Sequence, residues 1–316
     1  MSQPRASAER GAPSVGHAEF VPGGSPARPR DPSVLLVLLR LALAVTLALT
    51  AIIVTGCGTP SRPGGQAPGS ATRSLTVAGS TSVQPFAELL AEEFMTINPD
   101  VSVSVQGGGS SAGARAALTG VAQIGMLSRP LKEDERSLQA IVIARDAIAV
   151  IVHPSNPVND LTIDQIRDIF AGRVTNWSRV GGMDHRIDVV SREEGSGTRG
   201  SFDEIVMGDS EVTPAAIVQD SNGAVRETVA GDPAAIGYIS LGLLDGRVKG
   251  IRVSGVAPSV PNIENGTYRI VRPFIFAVRG ALSPHAQEFM DFVLSPTGQG
   301  LLKAEGLVPA SADDQP

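Results

Sequence analysis

The sequence predicts an α/β protein of about two domains, and three observations carry that expectation. Short β-type runs alternate with helical patterns, the alternation that lays helices onto mainly parallel sheets. The chain has 316 residues, more than the roughly 100–200 of a single domain. Apolar residues make up 42%, enough for a packed core and too many for a disordered or fibrous chain.

The first 56 residues read differently from the rest. Residues 1–33 are rich in Pro, Gly, Ser, Ala and Arg and carry no hydrophobic period. Leu41 to Val54 is a run of fourteen residues without a charge, shorter than the ~20 of a membrane-spanning helix. Arg28, Arg30 and Arg40 flank it, and it ends in Val54-Thr55-Gly56-Cys57. A basic flank, a short apolar core and small residues before a cleavage point form an export signal. Small residues leading into the only cysteine of the chain resemble the lipobox of bacterial lipoproteins. That resemblance implies cleavage before Cys57 and a lipid on its thiol, so acyl chains replace a spanning helix as the membrane anchor. From Cys57 onward 260 residues remain, with 21 basic and 29 acidic side chains and a net charge of −8.

Residues 57–74 are a lipidated end and a flexible Gly/Pro/Ser-rich tether. Leu75 to Val77 then begins the strands. Phe86, Leu89, Leu90, Phe94 and Ile97 recur at helical spacing, and Val101, Val103 and Val105 alternate with serines as a half-buried strand. Ala147 to Val152 is a buried strand stopped by His153-Pro154. Thr162 caps a helix that gathers Ile163, Ile166, Ile169 and Phe170 on one face. Ile187–Val190, Ile236–Ile239 and Pro273–Val278 are further strands. Phe289, Phe292 and Val293 lie on a C-terminal helix ended by Pro296.

Composition excludes several functions. The whole chain carries 26 Lys+Arg against 32 Asp+Glu, an acidic balance unsuited to nucleic acid. Four histidines and one cysteine leave little for a zinc site or a disulfide framework. No cofactor motif is present, and Gly-x-x-x-x-Gly-Lys-Ser/Thr does not occur.

Three segments share one design, a strand followed by Gly/Ser/Thr and then a helix. They are Ala78-Gly79-Ser80-Thr81-Ser82, Gly107 to Gly113 (GGGSSAG) and Arg192 to Arg199 (REEGSGTR). A helix start offers free N–H donors and a partial positive charge. Glycine lets an anion approach the backbone, and Ser and Thr add hydroxyl donors. Three such loops converging would form an anion cradle, with Arg192 supplying a full charge.

AGSTSVQP, VSVQGGGSSAG, IGMLSRPLKEDE, LTIDQIRDIFAGRVTNWSRVGG and SREEGSGTR stand in the order found in phosphate-binding proteins of ABC transporters. From Leu75 to about Ala310 the chain resembles that family. The resemblance implies a two-lobe, type II periplasmic-binding (Venus flytrap) fold that closes on an oxyanion, with one discontinuous lobe. The chain would cross between lobes near Ala147–Val152 and again near Ser240, giving lobe 1 as 75–148 with 241–316 and lobe 2 as 149–240. It also implies that Thr81, Ser82, Ser110, Arg192, Ser196, Gly197 and Thr198 hold the anion. The implied partners are inorganic phosphate and the permease and ATPase subunits of an importer, served by a monomer anchored through lipid to the outer face of the membrane.

One position departs from the family. Where many members carry an Asp, this chain has Ser128, followed by Arg129. The Asp accepts the proton that phosphate carries and sulfate lacks, whereas a serine donates or accepts. The resemblance to a variant branch makes Arg129 a candidate second positive charge. Asp146 is the nearest replacement acceptor, with a structural turn or cap as its alternative role. Other functions for the same fold are capture of another tetrahedral oxyanion and a sensing or adhesive role. A rival class is hydrolysis, because Gly109 to Gly113 fits Gly-x-Ser-x-Gly, with His153, His185 and His285 as candidate bases. Asn176 and Trp177 read as packing residues, and Lys132 to Arg136 as a solvated helix face.

Overall fold

A computed structural model describes residues 73–311 and residue 314. Cys57, the export segment and the tether lie outside the described residues. In chain order the elements begin with β1 (Arg73–Gly79), α1 (Gln84–Ile97), β2 (Val101–Gly107), α2 (Ser110–Thr119), β3 (Ile124–Leu127) and β4 (Gln139–Val152). They continue with β5 (Asp160–Leu161), α3 (Ile163–Phe170), β6 (Asp188–Arg192), α4 (Gly197–Phe202), β7 (Ile217–Gln219), α5 (Asn222–Gly231) and β8 (Ala235–Ser240). The chain closes with β9 (Lys249–Gly250), β10 (Arg252–Val253), α6 (Val260–Glu264), β11 (Val271–Val278), α7 (Pro284–Leu294), α8 (Pro296–Ala304) and β12 (Val308–Pro309).

The main sheet runs β2-β1-β3-β11-β4-β8-β6-β7. Its outer pairs, β1 with β2 and β3, and β6 with β7 and β8, are parallel, as βαβ crossovers require. Its centre is antiparallel, so the expectation of mainly parallel sheets holds only for the flanks. The reason is β4, whose residues 139–147 pair with β11 and whose residues 148–152 pair with β8. Only the end of this long strand was visible in the apolar run 147–152.

Each half of the sheet is covered on both faces. In the first half α1, α7 and α8 bury Phe86, Leu90, Phe94, Phe289 and Leu302 on one side, while α2 covers Leu127 and Ile275 on the other. In the second half α3 and α4 pack around Phe170, Trp177, Phe202 and Tyr238, and α5 covers Ala149, Val190 and Ile239. Ile251, Val253, Ile263, Tyr268 and Ile270 also enter the second half's core. Just after Ser240 the chain touches the first half, where Leu243 packs on its core, and residues 251–270 then pack on the second half before β11 joins the first. Periodicity could not show this, because short β9, β10 and α6 carry too few apolar residues to declare a side.

Local chemistry agrees with the reading in several places. The Thr162 hydroxyl accepts from the Gln165 amide at 3.1 Å while Gln165 answers the Thr162 amide at 2.9 Å, a reciprocal cap. Trp177 is fully buried and its indole N–H donates to the Ala234 carbonyl at 2.8 Å, while Asn176 accepts from the Ser178 amide. Both are packing and turn residues. Pro296 ends α7 and also opens α8, where its missing N–H costs nothing. Ile97, placed on the buried face by spacing, is 60% exposed as the last residue of α1.

Candidate functional site

The three small-residue loops follow β1, β2 and β6, and Ser128 follows β3. All lie at the carboxyl ends of parallel strands, where open α/β sheets place ligands. Their hydroxyls meet. Ser80 Oγ donates to Ser128 Oγ at 2.9 Å, and Ser128 Oγ lies 3.3 Å from Ser110 Oγ, which accepts from the Ser128 amide at 3.0 Å. Ser82 Oγ lies 2.8 Å from Thr198 Oγ1, joining the first half to the second. Ser110 and Ser128 are fully buried, and Ser82, Ser196 and Thr198 are buried as well.

Two glycines make this convergence possible. Gly109 has φ +87°, a conformation side chains disfavour, and there it opens α2 while the following Ser111 amide donates to the Gly195 carbonyl at 3.1 Å. A Cβ on Gly197 would collide with the hydroxyls of Ser110 and Ser128, so only glycine brings the third loop against the second. The Ser196 hydroxyl caps α4 by accepting from the Arg199 amide at 3.3 Å. At its other end α4 is pinned by Phe202, which stacks on Tyr238 with centroids 4.0 Å apart. Tyr238 shares a 3.0 Å hydrogen bond with Ser191, and burial pushes its phenol up to about 12, so it stays a neutral hydroxyl.

Arg192 is 1% exposed. Its Nε and Nη2 donate to Glu193, to the Gln219 and Asp220 carbonyls and to Thr81 Oγ1. Its Nη1 is buried without a hydrogen-bond partner among the described residues. A charged donor left unpaired in a protein interior is costly, so this nitrogen marks where an acceptor belongs.

The other two expected charges are placed differently. Arg129 donates through Nη1 and Nη2 to both oxygens of Glu135 at 2.7 Å. The second positive charge expected of Arg129 thus has a bidentate carboxylate partner, as Arg192 has in Glu193. Glu135 is buried, which corrects the reading of Lys132 to Arg136 as a wholly solvated face, although Glu133 and Arg136 do pair in solvent. Burial raises the Glu135 carboxyl, but the Arg129 guanidinium and the Lys132 amide outweigh it and hold it below its ordinary value. Asp146 lies mid-strand in β4, 1% exposed, and accepts from Arg272 Nε at 3.1 Å and Nη2 at 2.9 Å. It is neither a turn nor a cap. Desolvation pushes its carboxyl up against the pull of Arg272.

Two site residues escaped the sequence reading. Arg272 lies across from Asp146 in the β4–β11 register and reaches the Ser128 carbonyl through Nη1 at 3.4 Å. Nothing local in the sequence marks it. Asn222 opens α5 and donates to Ser82 Oγ at 2.9 Å and Thr81 Oγ1 at 3.5 Å. Its signal was available, since Asp220-Ser221-Asn222-Gly223 is a fourth polar turn between a strand and a helix.

The hydrolase constellation does not assemble. His153 bonds Ser155, His185 bonds the Arg186 carbonyl, and His285 bonds Ser283 and the Ser74 carbonyl. The Ser110 hydroxyl is engaged with Ser128 instead.

The chain is similar to known proteins in sequence and in structure. A model described as a PBP superfamily domain matches residues 65–297. The phosphate-binding protein PstS of Bacillus subtilis (strain 168) is 31% identical over 285 residues, covering 86% of this chain and 94% of the relative. A Clostridium perfringens structure described as a phosphate ABC transporter substrate-binding protein, with phosphate bound, is 43% identical with a TM-score of 0.74. That similarity covers 76% of this chain and 100% of that one. An ABC-type phosphate transport receptor from Vibrio cholerae is 38% identical with a TM-score of 0.64, covering 75% and 100%.

The Arg129–Glu135 pair yields a pH test. A carboxyl held low in the folded state contributes stability above the ordinary glutamate range and loses it as pH falls through the lowered value. Glu135→Gln leaves Arg129 buried and uncompensated, a loss of about 3–5 kcal/mol at about pH 7. Urea denaturation should show the gap between wild type and variant beginning to shrink as pH falls below the ordinary glutamate value of about 4.3, and closing only below the lowered folded-state value, where wild-type Glu135 is also neutral.

Proposed function

This chain belongs to the PBP superfamily and, within it, to the PstS-like phosphate-binding proteins, and on that premise we propose that it captures inorganic phosphate between two lobes and delivers it to an ABC importer. The observation that carries the reading is the buried Arg192 guanidinium, with one nitrogen unpaired, beside hydroxyls converging from three loops. A buried oxyanion must exchange its hydration for fixed donors. Hydrogen bonds to a charged group contribute about 1.5–3 kcal/mol each, and several together support micromolar binding, ~8 kcal/mol.

In this reading Arg192 is the charged ligand. Thr81, Ser82, Ser110, Ser128, Ser196 and Thr198 supply hydroxyls, and Gly197 supplies its amide at close range. Arg129 braces the second loop through Ser111, which its Nη2 reaches at 3.3 Å, and Asp146 holds Arg272 beneath Ser128. Donors from both halves make the anion itself a link that favours closure. In this reading one lobe takes 73–146 with 272–311 and the other takes the intervening residues. The chain binds and releases its ligand without chemical change, acts as a monomer and docks on permease and ATPase subunits. Cys57 carries the lipid that holds it at the outer face of the membrane.

Isothermal titration of wild type and Arg192→Ala tests the site. The variant should lose about a hundredfold or more in phosphate affinity while keeping a cooperative thermal transition, and near-native affinity in a folded variant would remove Arg192 from the site. Sulfate tests the role of Ser128. Without a carboxylate at that position, sulfate in about hundredfold excess should displace phosphate measurably, and failure to compete would assign the selectivity to another acceptor such as Asp146. Metabolic labelling with a palmitate analogue in a bacterial host should mark the wild-type chain but not Cys57→Ser, and equal labelling would place the lipid elsewhere.

A further inference from the structure

Asn222 stands in the second half of the fold, at the start of α5, yet two of its hydrogen bonds reach the first half. Its carboxamide orientation follows from chemistry. Oδ1 accepts from the Ser240 backbone amide at 3.1 Å, and that amide can only donate. The NH₂ end therefore faces Ser82 Oγ at 2.9 Å and Thr81 Oγ1 at 3.5 Å. Asn222 is 2% exposed, so water does not compete for these contacts.

A hydroxyl has one proton and two lone pairs. Thr81 Oγ1 faces two groups that can only donate, Asn222 Nδ2 and Arg192 Nη2, the latter at 3.3 Å. Arg192 Nη2 shares its two protons with nearer acceptors on Glu193 and Asp220, both at 2.9 Å, so its contact with Thr81 is the longer branch, yet a hydroxyl flanked by two donors still turns its own proton away from them. Ser82 Oγ has one lone pair held by Asn222 and keeps a proton and one lone pair, shared at present with Thr198. A hydroxyl turned this way offers a donor to an anion, whereas a free rotor would first have to be oriented.

We propose that Asn222 is a positioning residue of the anion site, a carboxamide fixed by the Ser240 amide that occupies lone pairs of Ser82 and Thr81 and so orients both hydroxyls as donors. The assignment rests on the phosphate-binding reading. It adds a clasp between the halves, because the oriented hydroxyls sit on one half and the residue orienting them on the other.

The experiment is phosphate titration of wild type, Asn222→Asp and Asn222→Ala by calorimetry between about pH 8 and about pH 4.5. Asn222→Asp is isosteric and keeps an acceptor for the Ser240 amide. Its carboxylate cannot donate, so the two hydroxyl protons turn toward it and away from the ligand. Phosphate affinity should fall about a hundredfold at about pH 8, and the ratio to wild type should recover as the new carboxyl gains a proton and donates again. Arg192, which donates to Thr81, its partner Glu193, and Asp220, two residues before Asn222, are unchanged in the variants. Wild type titrated at each pH cancels their contribution and that of phosphate ionisation. Asn222→Ala should lose about tenfold, with a ratio that does not change with pH.

Wild-type-like affinity in either folded variant would overturn the assignment, as would an Asn222→Asp deficit that stays constant with pH. Should Asn222→Asp fail to give a cooperative thermal transition, the tenfold deficit of Asn222→Ala decides alone. Wild type that binds no phosphate at any pH would instead overturn the functional reading, and this assignment with it.

Discussion

The Arg192 guanidinium is withdrawn from water and held by a carboxylate, two backbone carbonyls and a threonine hydroxyl, with one nitrogen left over. Much of the site follows from that arrangement. The loop carrying Gln219 and Asp220 must lie against β6 for their carbonyls to reach Arg192. The first loop must close over from the other half to bring Thr81 within 3.3 Å. A charge that needs partners from three segments makes their separation expensive, because each departure exposes a buried donor. Within the second half, Glu193 and the Gln219–Asp220 carbonyls are thus gathered by the cation, which reduces the cost of organising that side of the site on binding.

Around that cation the charges are balanced in pairs. Arg129 has Glu135, Arg272 has Asp146 and Arg192 has Glu193. Excess positive charge therefore does not define the site, and a net charge of −6 over the chain is no obstacle to anion capture. Discrimination falls instead on geometry and on the direction in which each hydroxyl points. The paired arginines do structural work for the same purpose. Arg272 reaches the Ser128 carbonyl and Arg129 reaches the Ser111 hydroxyl, so each ion pair braces a loop that carries a donor.

What the sequence disclosed and what it withheld divide along one physical line. The three loops, Arg192 and the Thr162 cap are legible because glycine, hydroxyl and helix-start chemistry act within a few residues. Asp146 and Arg272 are 126 residues apart and meet only through the β4–β11 register, which no local pattern announces. The partner of Arg129 lies six residues away, but a short 3-10 turn, rather than the expected open helix face, turns Glu135 inward. Asn222 sits in a polar turn that is itself legible, but the strand before it has only three residues, so the strand-to-helix design shows there more weakly than in the other loops. The antiparallel centre was hidden for a related reason, since the same strand, β4, serves both halves and only its more apolar end stands out.

That shared strand bears directly on how the halves can move. β4 carries Asp146 where its pairing with β11 gives way to its pairing with β8. Tyr268 donates to the Ile148 carbonyl at 2.8 Å and Ile148 donates to the Ile270 carbonyl at 2.8 Å, so the returning chain is tied to the outgoing one two residues further on. A hinge needs a few residues that absorb backbone rotation between rigid elements. Pairing on both sides, interrupted within β4–β11 only by the register shift between Phe274 and Ile275, favours rotation at this junction, next to a buried ion pair that loses its compensation if the strands part. Opening is then cheapest as a bend about β4 and β11 that leaves Asp146 and Arg272 joined and separates the loops above them. The contacts that cross the cleft are Ser82 with Thr198, Asn222 with Ser82 and Thr81, Arg192 with Thr81, the Ser111 amide with the Gly195 carbonyl, and the Ser201 hydroxyl with the Ser128 carbonyl. Such a bend therefore has to part the first loop, the second loop and Ser128 from the other half together.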